Sequence, residues 1–192
     1  MKMFSRIIEG YGPRGFATLV IDPYAPRHMD RGPVCATPQR FNMLRASADS
    51  YAALDFLVRM PEINGKKVFL EGFSHGGAAT INAVYVENAA QQRHKFAGAI
   101  SYYPRCRLDA KFSAPTLILI GDKDDWTPVE LCRSIKDKHN VELVVYPGVT
   151  HAFNQVWDFG VFDTLGHHLV YDEAATADAL RRSEASLAAH MH

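Results

Sequence analysis

The sequence predicts an α/β fold with a mainly parallel sheet of about five strands, and three observations support this fold class. Apolar runs of strand length recur along the chain and alternate with segments of helical length, as in β-α-β units. Most of these runs are continuously apolar, which is typical of parallel strands that are buried on both faces. Most of them also stop near Gly, Pro or Asp, the residues that favour turns.

The individual elements follow from these runs in chain order. Residues 46–60 repeat apolar side chains at helical spacing, and Thr127-Pro128 provides a cap and a first-turn residue for a later helix. No repeat, low-complexity tract or linker interrupts the pattern, so residues 1–192 are predicted to form a single domain. The predicted strands are residues 16–21, 68–70, 96–103, 116–120 and 141–146, and the predicted helices are residues 46–60, 76–88, 129–138 and 173–190.

The composition argues against several classes of protein. The chain has 21 basic and 21 acidic residues, whereas a nucleic-acid-binding protein would carry a basic surplus on one face. No apolar run approaches the roughly 20 residues that span a bilayer, so no membrane association is expected. The first residues lack the apolar core of a signal peptide, which leaves the cytoplasm as the default expectation. The neutral charge favours a small-molecule substrate, and no oligomeric state is predicted.

Candidate metal ligands and disulfides are few. Cys35, Cys106 and Cys132 lack the spacing of zinc or thioredoxin-like sites. Cys106 follows a predicted strand and Cys132 lies on a predicted helix, so the two either form a disulfide or remain small buried thiols. For the adjacent His167 and His168, a structural role is favoured over a metal site, because neighbouring residues rarely ligate one ion without further partners.

The strongest chemical signal is Gly72-Phe73-Ser74-His75-Gly76, which directly follows a predicted strand and directly precedes a predicted helix. It matches the G-x-S-x-G nucleophile elbow, in which a sharp turn lifts a serine hydroxyl above the sheet. Glycine is expected at positions 72 and 76 because a Cβ atom at either position would clash in this turn. The helix N-terminus behind Ser74 favours developing negative charge.

A serine nucleophile needs a base and an acid that orients the base, and two downstream loops supply candidates. Asp124 follows the predicted strand at 116–120, and His151 follows the next strand. Both loops therefore lie at the carboxyl edge of a parallel sheet, beside the elbow. The chain order Ser74, Asp124, His151 is also the order used by hydrolases with this elbow.

On these motifs the sequence resembles the dienelactone hydrolase family, within the α/β-hydrolase fold, from about Phe4 to the C-terminus. The family's nucleophile motif, G-x-[C/S]-x-G-G, is read at residues 72–77, and its acid motif, G-x-x-D-x-x-x-P, at residues 121–128. Its base motif, Y-P-G-x-x-H-x-F, is read at residues 146–153. Residues 15–24 resemble the family's strand that precedes the elbow unit.

The resemblance implies an α/β-hydrolase-like three-layer sandwich and a serine hydrolase that cleaves a small ester or lactone through an acyl-enzyme. Ser74 is then the nucleophile, His151 the base and Asp124 the orienting acid, with Asp125 as the alternative acid. The backbone N–H of His75 is expected to hold the oxyanion. Neither a metal nor an organic cofactor is expected.

Further residues are candidates for substrate binding. Tyr24 and Arg27 loosely match a tyrosine and an arginine that the family uses to hold a substrate carboxylate, with one extra residue between them. An exposed loop position is the alternative for Arg27. Trp126, Phe153 and Trp157 in the acid and base loops could wall an apolar pocket, and core packing is the alternative for them.

Two features depart from the family pattern. The namesake activity uses a thiol nucleophile, whereas Ser74 favours general carboxylester hydrolysis. The family's central strand and its H-G loop, which donates one oxyanion N–H, have no counterpart before Met3, so an N-terminally truncated fold is expected. Losing one donor typically costs about 10²–10³ in turnover. The strand at 16–21 would then lack a partner or pair directly with residues 68–70.

The function predicted from the sequence is therefore hydrolysis of an ester or lactone, and two alternatives remain open. One is a catalytically impaired family member that acts as a non-enzymatic remnant. The other is a thioesterase or peptidase, because neither the fold nor a Ser-His-Asp arrangement sets the acyl substrate.

Overall fold

The structure is a computed structural model that describes residues 11–29, 43–156 and 161–190. In these ranges, four parallel strands form one sheet in the order β1-β2-β3-β4. They are β1 (Phe69–Phe73), β2 (Gly98–Tyr102), β3 (Thr116–Gly121) and β4 (Val141–Tyr146). These are four of the five predicted strands, and the α/β fold class is confirmed.

Burial along the sheet follows the apolar content of each strand. Every residue of β2 and β3 is buried, as expected of central parallel strands that are covered on both faces. β1 and β4 are mostly half-buried, because each pairs on one side only among the described residues. The sheet core therefore lies along β2 and β3; the acid loop begins at the end of β3, and the elbow begins at the end of the neighbouring β1.

Five helices accompany the sheet in the described part of the chain. The long helices predicted at residues 46–60 and 173–190 are present, although the first lies three residues earlier than predicted. Residues 76–88 divide into two helices, and residues 129–138 form only one helical turn followed by turns. The helices are α1 (Met43–Leu57), α2 (His75–Ala83), α3 (Val86–Ala89), α4 (Glu130–Arg133) and α5 (Glu173–Ala189). Single 3-10 turns lie at Gly12–Arg14 and Ala25–Arg27. None of the helices described has the length and hydropathy that a membrane crossing requires.

The two faces of the sheet are covered by different helices, which gives three layers. Ser101 and Tyr102 are successive residues of β2, so their side chains point to opposite faces. The hydroxyl of Ser101 donates to the carbonyl oxygen of Gly77 in α2 at 2.9 Å. The hydroxyl of Tyr102 is hydrogen-bonded to that of Ser183 in α5, also at 2.9 Å.

The prediction of a strand at residues 16–21 is wrong. This segment makes no ladder with any described strand, and Leu19 and Val20 are 45% and 48% exposed. Its apolar composition suits a strand, but a strand forms only where a neighbour accepts its backbone hydrogen bonds. Within the described ranges, β1 pairs with β2 alone and does not pair with residues 16–21.

An antiparallel hairpin of β5 (Val161–Thr164) and β6 (His167–Val170) was not predicted from the sequence. Leu165 and Gly166 join the two strands with φ values of 52° and 85°. Two-residue turns with both φ positive favour Asn-Gly or Asp-Gly. Because Leu stands at the first position, the glycine was the only turn signal and it was weak.

Cys106 and Cys132 form a disulfide, with Cα atoms 5.1 Å apart. This decides between the two alternatives that the sequence left open for this pair. The bond joins the segment after β2 to α4, which follows the acid loop. Cys35 lies outside the described residues.

Candidate active site

Ser74 occupies a strained turn between β1 and α2. Its φ is 52° and its ψ is −116°, a combination that L residues rarely adopt. Gly72 is required by close approach, because a Cβ there would lie 2.3 Å from the carbonyl oxygen of Gly76. A Cβ on Gly76 itself would meet no atom within 4 Å, so the expectation that both glycines avoid a clash holds for Gly72 only.

Backbone hydrogen bonds fix the turn around Ser74. Its N–H donates to the carbonyl oxygen of Tyr102 at 3.0 Å, which ties the elbow to the end of β2. Its own carbonyl oxygen accepts from the N–H of Ala78 at 2.9 Å, the first hydrogen bond of α2. The N–H of His75 precedes that ladder and lies at the positive end of the helix dipole.

Ser74, His151 and Asp124 form a continuous hydrogen-bonded chain. Oγ of Ser74 lies 2.8 Å from Nε2 of His151, and Nδ1 of His151 lies 2.7 Å from Oδ2 of Asp124. Because the carboxylate can only accept, Nδ1 carries the proton and Nε2 is left to accept from the serine hydroxyl. The His151 and Asp124 side chains are 3% and 0% exposed.

Asp124 is held by several donors besides His151. Its Oδ1 accepts from the backbone N–H groups of Trp126 at 3.0 Å and Thr127 at 2.7 Å. The Thr127 hydroxyl donates to Oδ2 at 2.8 Å. Thr127 therefore fixes the carboxylate, whereas the sequence predicted it as a helix cap; the helix nearby starts at Glu130 and has no side-chain cap.

The alternative acid, Asp125, does not reach the imidazole of His151. Its side chain is 51% exposed, and its Oδ1 lies 3.2 Å from Nδ1 of His167. Asp124 is therefore the carboxylate that the acid loop turns inward, and Asp125 is the one that it turns outward.

The acid and base loops are packed directly against each other. A Cβ on Gly121, the last residue of β3, would lie 2.0 Å from the carbonyl oxygen of Val149, so only glycine fits this position. The N–H of Lys123 donates to that same oxygen at 3.0 Å. Asp122 accepts from the N–H of Gly148 at 2.7 Å. These contacts set the separation between Asp124 and His151.

The residues predicted to bind a substrate carboxylate, Tyr24 and Arg27, occupy different environments. The hydroxyl of Tyr24 lies 3.1 Å from Nδ1 of His75, so this loop reaches the elbow. Arg27 instead forms a two-pronged ion pair with Asp49 of α1, at 2.7 and 2.8 Å. Because Asp49 already engages the guanidinium, the geometry does not favour Arg27 as a carboxylate-binding residue.

The aromatic residues predicted to line a pocket also have different environments. Phe153 is fully buried and packs against Tyr103 and Tyr146 at ring-centroid distances of 5.6 and 5.3 Å. The prediction that Phe153 lines a pocket is therefore wrong, because no surface of it is left for a ligand. Trp126 is half-buried, with its ring centroid 5.3 Å from that of His151. Trp157 lies outside the described residues.

Tyr103 contacts the site although sequence reasoning did not identify it. Its ring meets the imidazole of His151 edge-on, with centroids 4.7 Å apart and planes at 62°. Its φ is 40°, so the backbone turns sharply where β2 ends. The only signal in the sequence was its position between a predicted strand and Pro104.

Glu71 lies on β1, directly before Gly72 of the elbow, and its carboxyl group is shielded from solvent. It too was not identified from the sequence. The Tyr11 hydroxyl donates to its Oε2 at 2.9 Å. The residue keeps some surface on this edge strand, but Oε1 is shielded from solvent and has no hydrogen-bond partner among the described residues. Desolvation raises the pKa of Glu71 from 4.5 to about 7, against the smaller opposing effect of the Tyr11 hydrogen bond.

Glu71 is expected to make the free energy of unfolding fall as pH rises from about 4.5 to about 7, because the folded protein holds a proton there that the unfolded chain releases. At 1.36 kcal/mol per pKa unit, the full effect is about 3 kcal/mol. We expect Glu71→Gln to remove this pH dependence, as measured by urea unfolding at pH 5 and pH 8. Glu62→Gln, the same change at an exposed site, is the control. Identical pH dependence in Glu71→Gln and the wild type would contradict the expectation.

The paired histidines of the hairpin have separate partners. His167 faces Asp125, whereas Nδ1 of His168 lies 2.6 Å from Oδ1 of Asp163. Within the described ranges, no three His, Cys, Asp or Glu side chains are grouped so that they could hold a metal ion.

Comparison with known proteins relates this chain to ester and lactone hydrolases. A model of the dienelactone hydrolase family matches residues 7–191. A curated protein of Bradyrhizobium sp., named "Probable 2-oxo-3-(5-oxofuran-2-ylidene)propanoate lactonase", is 26% identical over 161 residues, which are 73% of this chain. The chain spans 63% of the length of that relative.

Solved structures show the same fold at low sequence identity. A dienelactone hydrolase-like promiscuous phosphotriesterase from metagenomic libraries has a TM-score of 0.66 and 19% identity, covering 84% of this chain and 69% of its own. A thermophilic esterase of Thermogutta terrifontis has a TM-score of 0.58 and 18% identity, covering 78% and 66%. The α/β-hydrolase-like fold is thereby established.

Proposed function

Since the chain belongs to the dienelactone hydrolase family, whose model matches residues 7–191, we propose that it is a serine hydrolase. Its substrates are small carboxylic esters or lactones. The observation that carries the proposal is the hydrogen-bonded chain from Ser74 through His151 to Asp124. A serine hydroxyl becomes a competent nucleophile when a positioned base accepts its proton, and the base works best when an acid fixes its tautomer.

The reaction follows from this arrangement in two halves. Oγ of Ser74 attacks the substrate carbonyl carbon while its proton passes to Nε2 of His151. The tetrahedral intermediate collapses, the imidazolium returns the proton to the leaving alkoxide, and the acyl group stays on Ser74 as an ester. His151 then takes a proton from water, the resulting hydroxide attacks the acyl carbon, and the acid product leaves as Ser74 recovers its proton. In a lactone the leaving alkoxide stays attached to the acyl group.

The negative charge on the former carbonyl oxygen requires a donor near Ser74. The N–H of His75, at the first position of α2, is suited to this role because helix N-termini favour negative charge. The hydroxyl of Tyr24 lies against the His75 side chain and so borders the same region.

The substrate class rests on the relatives and on the surroundings of the nucleophile. The Bradyrhizobium relative is named for a lactone, and the Thermogutta neighbour is an esterase. Trp126 beside His151 provides an apolar surface at the edge of the site. A small ester or lactone fits these features. Asp124 is buried and already hydrogen-bonded to His151.

A fluorophosphonate probe tests this function directly, because it forms a stable bond only with an activated serine. We expect one phosphonyl group per chain by intact-mass analysis, located on Ser74 by peptide mapping, together with measurable hydrolysis of p-nitrophenyl acetate. An absent label, or a label on another serine, would contradict the proposal and favour a non-enzymatic role. Faster turnover of a matched thioester than of the oxygen ester would instead support a thioesterase.

A further inference from the structure

The β5–β6 hairpin places His167 against the acid loop. The imidazole of His167 stacks on the indole of Trp126, with centroids 4.4 Å apart and planes only 15° from parallel. Nδ1 of His167 lies 3.2 Å from Oδ1 of Asp125, to which it donates a hydrogen bond. Stacking and a directed hydrogen bond together fix the orientation of this ring with respect to Trp126.

Trp126 connects this stack to the imidazole of His151. The two ring centroids are 5.3 Å apart, with planes at 37°. The backbone N–H of Trp126 donates to Asp124, which in turn holds Nδ1 of His151. Tyr103 meets the same imidazole edge-on at 4.7 Å. The position of His151 is therefore set by Asp124, Tyr103 and Trp126 together.

The hairpin is also tied to the base loop. The N–H of Val170, the last residue of β6, donates to the hydroxyl of Thr150 at 2.9 Å, one residue before His151. Just beyond β6, the N–H of Asp172 donates to the carbonyl oxygen of Phe153 at 2.9 Å. The hairpin thus contacts both the loop that carries Asp124 and the loop that carries His151.

We infer that His167 is a positioning residue, which holds the Trp126 indole against His151 and so keeps Nε2 of His151 directed at Ser74. This inference rests on the proposed hydrolase function. The stack is half-exposed rather than part of the core: the His167 side chain is 26% exposed and that of Asp125 is 51% exposed. Aromatic pairs prefer defined ring geometries and gain stability beyond the area that they bury, so this stack can orient the Trp126 indole although it is partly exposed.

Substitutions at His167 separate ring stacking from other effects. We expect His167→Ala to lower kcat for p-nitrophenyl acetate by about tenfold, because small displacements of a catalytic group cost up to about 10² in rate. KM should change less than kcat, because the variant alters the base rather than the substrate contacts. His167→Phe keeps a flat ring on Trp126 and should restore most of the lost kcat.

The neighbouring His168 provides a matched control on the same strand. Its side chain is 59% exposed and faces Asp163 rather than the acid loop, so His168→Ala should leave kcat unchanged. An equal loss in His168→Ala would overturn the inference by assigning the effect to the hairpin as a whole. Equal losses in His167→Ala and His167→Phe would overturn the role of stacking.

The same experiment distinguishes failure of the inference from failure of the proposed function. If the wild-type chain neither hydrolyses the ester nor labels at Ser74, the proposed function itself fails. If the wild type is active and His167→Ala matches its kcat, only the positioning role fails. Should His167→Ala fold poorly, as judged by its Tm, Asp125→Asn carries the test. That change weakens the hold on the His167 ring and should give a smaller loss of kcat in the same direction, and an unchanged kcat would overturn the inference.

Discussion

Ser74→Ala is expected to lower kcat for p-nitrophenyl acetate by about 10⁴–10⁶-fold, because in the proposed mechanism it removes the atom that forms the acyl-enzyme. The Ser74 hydroxyl lies 2.8 Å from Nε2 of His151. Without it, His151 can at best direct a water molecule at a substrate that is positioned for attack by Ser74. The measurement is steady-state hydrolysis by the purified variant, with the fluorophosphonate label expected to disappear in parallel.

The elbow makes this substitution a test of chemistry rather than of folding. The interactions that hold the turn use the backbone of residue 74, through Tyr102 and Ala78, and an alanine retains them. Ser134→Ala removes an exposed serine hydroxyl that donates to Leu131 at 2.6 Å, and it should leave kcat unchanged. Equal activity of Ser74→Ala and the wild type would exclude Ser74 as the nucleophile.

Asp124→Asn is expected to lower kcat by about 10⁴-fold with little change in structure, as the loss of the correct histidine tautomer does in serine proteases. Oδ1 of Asp124 accepts two backbone N–H groups, and an asparagine oxygen there would keep both. The amide NH₂ would then face Nδ1 of His151. Nδ1 would have to become the acceptor, and Nε2 would carry the proton and could no longer accept one from Ser74.

Substitutions at neighbouring carboxylates show whether this loss is specific to Asp124. Asp125→Asn should reduce kcat by at most about tenfold, because Asp125 acts only through His167. Asp137→Asn removes a carboxylate that is 88% exposed and should have no effect. A larger loss in Asp125→Asn than in Asp124→Asn would reverse the assignment of the acid.

Most of the sheet could be predicted from the sequence because its central strands are buried on both faces and its outer strands are still largely apolar. Residues 96–103 and 116–120 are largely apolar runs that end at Pro104 and Gly121, and β2 and β3 lie there. Residues 16–21 have the same local character but lack a pairing neighbour in the described structure. Strand formation depends on that neighbour, and composition carries no information about it.

The candidate site likewise contains residues that could be predicted from the sequence and residues that could not. Ser74 could be found because its turn needs glycine at position 72, and this local requirement leaves a pattern in the sequence. The roles of Thr127 and His167 could not be found in this way, since each contact is made by a side chain whose partner is set by packing. Thr127 turns toward Asp124 instead of capping a helix, and His167 reaches Trp126 only because the hairpin folds over the acid loop.

The sequence by itself determined the parallel α/β architecture, the elbow at Ser74 and the order in which acid and base loops follow it. These features depend on short-range chemistry: apolar runs, glycines at close approaches and residues that end strands. Only the tertiary structure decided that Asp124 rather than Asp125 turns inward, that Arg27 pairs with Asp49 and that Phe153 belongs to the core. Those outcomes depend on which groups come into contact in the folded chain, and these contacts join residues that are far apart in the sequence.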